Sequence, residues 1–147
     1  MGAMKQILLT LSLLLFIAVS AQSQDVLTNQ DIISMNTAKM GASLIQAKIN
    51  GSKANFDLSP KGLIELENGK ISDGIIKTMM GKAAMTDIMT NNDVITLNNA
   101  KVSKSIITEK IRRGKNNFNT SVDGLIALRE AKLSDSLIKE MMSAPKK

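Results

Sequence analysis

The sequence contains two copies of one long segment. Residues 28–80 align with residues 90–142 without a gap, and about half of the positions are identical. A weaker repeat at half that spacing divides each copy in two, so that four units begin at Thr28, Ser59, Thr90 and Ser121. A chain of this kind is expected to fold as a series of like units, each packed against its neighbours.

Each unit has the pattern of two short helices joined by a tight turn. The Thr or Ser that opens a unit can cap the first helix, because its hydroxyl accepts a hydrogen bond from a backbone N–H at the helix start. Ser72, Ser103 and Ser134 are the corresponding candidates for the second helix. In the second helix, apolar residues recur at positions i, i+1, i+4 and i+5, which is one helical face. No period-2 segment competes with this pattern, so about eight short helices and no strands are expected.

The units are predicted to fold in pairs. Short helices are marginal alone, and a lone unit cannot bury both of its apolar faces. Phe56 and Phe118 each precede an even-numbered unit and are expected to plug the core of a pair. The predicted fold class is therefore all-α, with four 31-residue helix-turn-helix units forming two homologous four-helix modules, residues 25–86 and residues 87–145.

The segment ahead of the repeats has the pattern of a signal peptide. Lys5 precedes an unbroken apolar run over residues 7–20, and Val19 and Ala21 are the small residues that a signal peptidase recognises. The run is too short for a spanning helix, which needs about 20 apolar residues. We predict a signal peptide over residues 1–21, and hence a bacterial protein exported to the periplasm or secreted. An uncleaved, membrane-anchoring N-terminus is the alternative.

Composition excludes several classes of function. The chain has no Cys, His, Trp or Tyr. Without Cys there are no disulfides and no thiolate metal sites. Without His, the side chain that most often does acid–base work near neutral pH is missing. The sequence therefore predicts a protein that is not an enzyme and needs no cofactor.

The even-numbered units carry a motif with a wider resemblance. Both follow the pattern SxxGLIxLxxxKφSDxφIxxMM, in which φ is apolar, and both are preceded by Asn-Phe. This pattern resembles short helical-hairpin repeats found in many exported bacterial proteins of unassigned role, and it covers nearly all of the chain after residue 21. The resemblance implies an envelope or secreted helical module, and it implies no catalytic residues.

The same motif contains a cluster that could be mistaken for an active site. Lys70, Ser72 and Asp73 recur at the same helix junction of the second copy, as Lys132, Ser134 and Asp135. A Ser nucleophile would need an activating base such as a desolvated Lys. Capping accounts for all three residue types, because Lys complements the negative end of the first helix while Ser and Asp favour the start of the second. We interpret the cluster as a turn.

A cluster of methionines marks the link between the two copies. Its members are Met79, Met80, Met85 and Met89. Thioethers can bind soft ions such as Cu(I), but no His or Cys is present to assist, and Met is also the flexible filler of aliphatic cores. We predict instead a groove for a partner helix, and the expected partner is another envelope protein.

Positive charge is concentrated in the second copy. The net charge is +6. Apart from Lys5, all of the positive excess lies beyond residue 88, where the sequence has eleven basic and six acidic residues. A candidate anion patch comprises Lys101, Lys104, Lys110, Arg112, Arg113 and Lys115. Such a patch could bind acidic lipid or polysaccharide, or it could simply be a solvated helix face. Nucleic acid is the least favoured ligand, because Phe56 and Phe118 are expected in the core and no aromatic residues are then available for base stacking.

Two functions follow as hypotheses. The first is an exported, non-enzymatic helical repeat protein that acts as an interaction or structural module of the envelope. The alternative is a binder of anionic surfaces that uses the basic second module.

Overall fold

The structure is a computed structural model that describes residues 25–145. The predicted signal peptide lies outside these residues. Within them the chain forms eight helices, which confirms the all-α prediction. They are α1 (Asn29–Thr37), α2 (Ala42–Gly51), α3 (Pro60–Asn68), α4 (Asp73–Lys82), α5 (Asn91–Asn99), α6 (Lys104–Arg113), α7 (Val122–Glu130) and α8 (Asp135–Ser143).

The first helix of every unit begins where the sequence predicts. The N-cap residues are the four that open the units, namely Thr28, Ser59, Thr90 and Ser121. In α1 the Thr28 backbone N–H donates to the Asp31 carboxylate at 2.8 Å, while the Thr28 hydroxyl accepts from the Asp31 backbone N–H. These hydrogen bonds form a capping box. The Thr28 hydroxyl also donates to the Asp31 carboxylate at 2.7 Å, and this bond, together with the one from the Thr28 backbone N–H, lowers the pKa of Asp31 from its ordinary value of 3.8.

Replacing Asp31 by Ala should lower the free energy of unfolding by about 1 kcal/mol at pH 7. Because the folded state lowers the pKa of Asp31, its contribution is present above pH 3.8 and is lost as the pH falls through the folded value. Chemical denaturation at neutral and acid pH should show the difference from the parent chain shrinking in acid. Asp123→Ala, in the first turn of α7, is the control, and a difference that does not change with pH would contradict this account.

A Lys in left-handed backbone conformation ends the first helix of every unit. Lys39, Lys70, Lys101 and Lys132 have φ between 57° and 65°. The N–H of the following residue bonds back to the helix, as from Ile71 to the Leu66 carbonyl at 3.0 Å, which is the Schellman arrangement. The sequence interpretation put this Lys at the helix end; the structure puts it one residue past the C-cap, where Gly is usual. All four Lys side chains are exposed.

The four helical hairpins stack in two layers. In one layer α1 packs on α3 and α3 on α5, and in the other α2 packs on α4, α4 on α6 and α6 on α8. The two helices of the first, third and fourth units also pack on each other. One apolar cluster of buried residues extends from Leu27 to Met141. Each unit thus covers the unit before it, as in other repeat proteins.

The junctions between units alternate in their polar contacts. The Asn29 side chain forms two hydrogen bonds with the backbone of Asp57, at 2.8 and 3.1 Å, and Asn91 forms the same pair with Asn119 at 2.9 and 3.0 Å. Asp57 and Asn119 lie in the segments that lead into the second and fourth units, so these bonds tie those segments to the first and third units. The second junction has a Ser103 hydroxyl bonded to Asp73 at 2.7 Å instead. The alternation agrees with pairing of units, and the division into two modules stays a prediction.

Two very short strands depart from the prediction that no strands form. Strand β1 (Ile88–Met89) pairs in parallel with β2 (Lys115–Asn116), and the first copy has a single bridge between Leu27 and Ala54 at the equivalent place. The segment before the first helix of an odd unit runs beside the segment that leaves its second helix. Such short strands cannot produce a period-2 pattern, so the sequence carries no signal for them.

Candidate functional site

Three of the four methionines in the predicted groove are buried. Met79, Met80 and Met89 are at most 2% exposed, and Met85 is partly buried against the same core. Met79 and Met80 lie on α4, between α2 and α6. The prediction of a partner groove is therefore wrong for these three residues, because the neighbouring units already cover them. They fill the core, as methionines commonly do.

Lys110, a predicted member of the anion patch, is also buried. It is 0% exposed on α6, and its Nζ donates to both carboxylate oxygens of Asp87 at 2.7 and 2.8 Å. The inclusion of Lys110 in a surface patch is therefore wrong. Its charge is compensated inside the stack rather than offered to a ligand.

The two arginines of the predicted patch are exposed but paired. Arg112 forms a two-point ion pair with Glu140, with its Nε donating to Oε2 at 2.9 Å, and Arg113 pairs with Glu109 one turn away. The pairing raises the pKa of Arg112 and lowers that of Glu140. Exposed pairs of this kind contribute little to stability, but they reduce the positive charge available to a ligand.

The remaining members of the patch are exposed cations. Lys101, Lys104 and Lys115 make no ion pair among the residues that the structure describes. Lys101 is one of the four lysines in left-handed turns. We call the edge of the stack that carries these four turns the turn edge, and Lys101 belongs both to it and to what remains of the patch. We call Lys39, Lys70, Lys101 and Lys132 the turn lysines.

The first unit exposes residues that the other units bury. Leu44 is 55% exposed, whereas its equivalents in the other three units, Ile75, Ile106 and Leu137, are at most 2% exposed. Neighbouring side chains of the first unit are also more exposed than their equivalents. In the later units a preceding unit covers these positions, whereas no described residue covers them in the first unit. We call this surface the leading end, formed by Met35, Met40, Leu44 and Lys48.

A cleft is present at the leading end. Its volume is about 420 Å³, and its lining includes Asp25, Leu27, Met35 and Lys48. Asp25 and Lys48 are the first-copy equivalents of Asp87 and Lys110. The ion pair that is buried in the third unit thus has exposed counterparts at the edge of the first.

The fourth unit exposes the opposite face. Met142 is 56% exposed, although its equivalents Ile49, Met80 and Ile111 are at most 2% exposed. In the first three units a following unit covers this position. We call this surface the trailing end, formed by Leu125, Ile126, Ile138 and Met142. Each is more exposed than its equivalents in the earlier units, although Ile138 is still buried at 7%.

A second cleft, of about 390 Å³, lies between the third and fourth units. Asn91 and Asn119, which line it, already bond to each other. Its principal polar groups are thus engaged in joining the two units rather than directed at a ligand.

Sequence reasoning missed both ends. Leu44 and Met142 carry the same apolar character as their internal equivalents, so residue type gives no sign of their exposure. The available signal is the number of units: in a stack, the residues that face a neighbour become exposed in the first and last units.

No group of three or more His, Cys, Asp or Glu side chains that could hold a metal ion occurs in residues 25–145. Over the same range, each helix is too short or too polar to cross a membrane. Comparison with known proteins finds no family model, no curated protein and no solved structure that matches the chain.

Proposed function

We propose that this chain is an exported, non-enzymatic helical repeat protein that acts by binding another macromolecule at the ends of its stack. Export is inferred from the signal-peptide pattern of residues 1–21 and from the resemblance to repeats of exported bacterial proteins. The expected setting is the cell envelope. The four units would form two homologous modules, and the alternating junction contacts support that organisation.

The exposure of Leu44 and Met142 is the observation that carries this proposal. Both side chains are more than half exposed in positions where every equivalent residue is buried. Contiguous exposed apolar surface commonly marks a site of protein association. Each end also consists of short helices already fixed by packing on the next unit, so that little conformational entropy would be lost on binding.

A photoreactive amino acid placed at position 44 or 142 tests the proposal in the cell envelope. We expect crosslinked adducts from both positions and few from position 88. Ile88 is the matched control, because it is an apolar residue with the same 55% exposure as Leu44 but lies within the stack. Equal yields at the three positions, or no adducts at all, would count against binding at the ends.

A second candidate function is the binding of acidic lipid or polysaccharide along the turn edge. It is favoured by one observation, the recurrence of an exposed Lys in left-handed conformation in all four turns. That conformation disfavours a Lys by roughly 1 kcal/mol relative to Gly, and strained backbone persists more often where function requires it. Stacked hairpins would space these charges by about 10 Å, the usual distance between packed helices.

Replacing the four turn lysines by Gly separates charge from conformation. Each change should raise the free energy of unfolding by about 0.5–1 kcal/mol, because Gly adopts positive φ without steric cost. If the turn edge binds anions, the quadruple variant should bind acidic lipid vesicles at least about tenfold more weakly, since each Lys near such a surface contributes about 1 kcal/mol. Lys→Arg at the same positions is the control that keeps the charge. Unchanged vesicle binding by the Gly variant would reject this function.

A further inference from the structure

We propose that the partner of each end is a second copy of this chain, with the trailing end of one copy packed on the leading end of the next. This inference rests on the proposed function, because it names the macromolecule that the ends bind. The stack of helical hairpins would then continue from one copy into another.

The junction between the second and third units is the template for this contact. There α3 packs on α5 and α4 packs on α6. On the second unit's side Met80 is 2% exposed, and on the third unit's side Ile106 is 0% exposed. In the alignment of the two copies, Met80 corresponds to Met142 and Ile106 corresponds to Leu44. The two exposed ends are therefore the counterparts of the two halves of an interface that the chain already forms.

The trailing end preserves the apolar surface of the second unit. Position by position, Leu63, Ile64, Ile76 and Met80 correspond to the identical residue types at Leu125, Ile126, Ile138 and Met142. The fourth unit therefore has, at these four positions, the same residue types as the surface of the second unit that covers the third unit. In the described chain no following unit uses it.

The leading end preserves the surface that the second unit covers. Leu97, Val102 and Ile106 of the third unit correspond to Met35, Met40 and Leu44, which are also apolar. Met35 and Leu44 conserve the volume of their equivalents, and Met40 is larger than Val102. If another copy covered this surface, Met35, Met40 and Leu44 would be removed from water, as their equivalents in the third unit already are.

The two residues of the third unit's ion pair are repeated as well. Lys110 corresponds to Lys48, and Asp87 corresponds to Asp25. In the third unit the Lys is covered and bonded to its Asp at 2.7 Å. In the first unit both residues are exposed beside the cleft at the leading end. Docking of a second copy would give Lys48 the buried surroundings of Lys110, with its carboxylate partner close at hand.

One contact of the template is not repeated. The Ser103 hydroxyl bonds to Asp73, but the equivalents of these residues are Gly41 and Asp135, which cannot form that hydrogen bond. The contact between copies also lacks the covalent link that holds the second and third units at high effective concentration. Association should therefore be reversible and dependent on protein concentration.

The two ends differ, so the contact is of the head-to-tail type. Such contacts produce open chains of copies unless the rotation between them closes a ring. A charged residue at either end should stop the association at that end only. Glu suits this purpose at position 44, because Leu44 is the third residue of α2 and an acidic residue near a helix start is favourable.

The test uses the Leu44→Glu and Met142→Glu variants, each purified in the form that the cell produces after processing. Their association is measured by sedimentation velocity over a range of protein concentrations. The parent chain should form dimers and longer species at high micromolar concentration. Each variant alone should be monomeric, with its dissociation constant raised by about 30-fold or more. An equimolar mixture should form a 1:1 dimer and nothing larger, because one intact trailing end meets one intact leading end. Circular dichroism verifies that both variants are folded, and Ile88→Glu should associate like the parent chain.

Three outcomes would overturn the inference. The first is a parent chain that stays monomeric at high concentration. The second is association that the Glu variants do not change. The third is association that begins only after residues before Asp25 are removed, which would mean that this segment covers the leading end.

If position 44 or 142 nevertheless crosslinks to a different envelope protein, the proposed function stands while the identity of the partner is wrong. Adducts at neither position would reject both.

Discussion

Replacing Asp87 by Ala lowers the free energy of unfolding by about 3 kcal/mol, because it leaves the Lys110 ammonium buried without a counter-charge. The Asp87 side chain is 31% exposed, so water can replace part of the lost interaction, and we expect the lower end of the range for broken buried pairs. The loss is measurable by urea denaturation followed by circular dichroism. Fluorescence is unsuitable because the chain has no Trp or Tyr.

The repeat itself provides the control for this prediction. The residues 31 positions before Asp87 and Lys110 are Phe56, which directly precedes the second unit, and Met79 within it, and both are buried. The double change Asp87→Phe with Lys110→Met should therefore restore stability to within about 1 kcal/mol of the parent chain, since a well-packed apolar pair often replaces a buried ion pair without loss. A loss below about 1 kcal/mol for Asp87→Ala, or a double variant less stable than the single one, would contradict the account.

Gly62→Ala has an expected effect of similar size. A methyl group on Gly62 would lie 2.1 Å from the backbone oxygen of Asp57, far inside any permitted contact. The Asp57 backbone is held by Asn29, so it cannot move aside without breaking the junction between the first two units. We expect a loss of about 3 kcal/mol in the free energy of unfolding, at the upper end of the range for overpacking.

Gly81→Ala is the matched control for Gly62→Ala. Gly81 lies in α4, and apart from its own helix backbone and chain neighbours no atom lies within 4 Å of the added methyl group. The change should stabilise the chain by about 0.5–1 kcal/mol, because Ala favours the helix and Gly does not. Similar losses for both variants would mean that the close approach at Gly62 does not determine its effect.

The elements of the fold were predictable from sequence because their signals are local. Thr28 and the other three opening residues cap helices through hydrogen bonds to residues three positions ahead, and the apolar faces recur with the helical period. The left-handed Lys turns were not predictable. Gly is the usual residue at that position, and Lys carries no preference for positive φ.

The burial of individual residues depends on the stack and was therefore beyond local reasoning. Lys48 and Lys110 are the same residue type at equivalent positions of the two copies, yet Lys48 is exposed and Lys110 is buried. The difference arises because a preceding unit covers the third unit and none of the described residues covers the first. For the same reason the Met cluster was mistaken for a groove, while Leu44 and Met142 were overlooked.

Thiol crosslinking tests most directly whether the two ends are halves of one interface. The chain has no Cys, so an introduced Cys reacts alone. A Leu44→Cys copy and a differently isotope-labelled Met142→Cys copy would be mixed with a short bismaleimide. The account predicts crosslinked dimers that contain one copy of each variant and few dimers of either variant alone. Few crosslinked dimers should form when Ile88→Cys replaces either variant in the mixture. Equal yields in every combination, or dimers formed only between like copies, would contradict head-to-tail association.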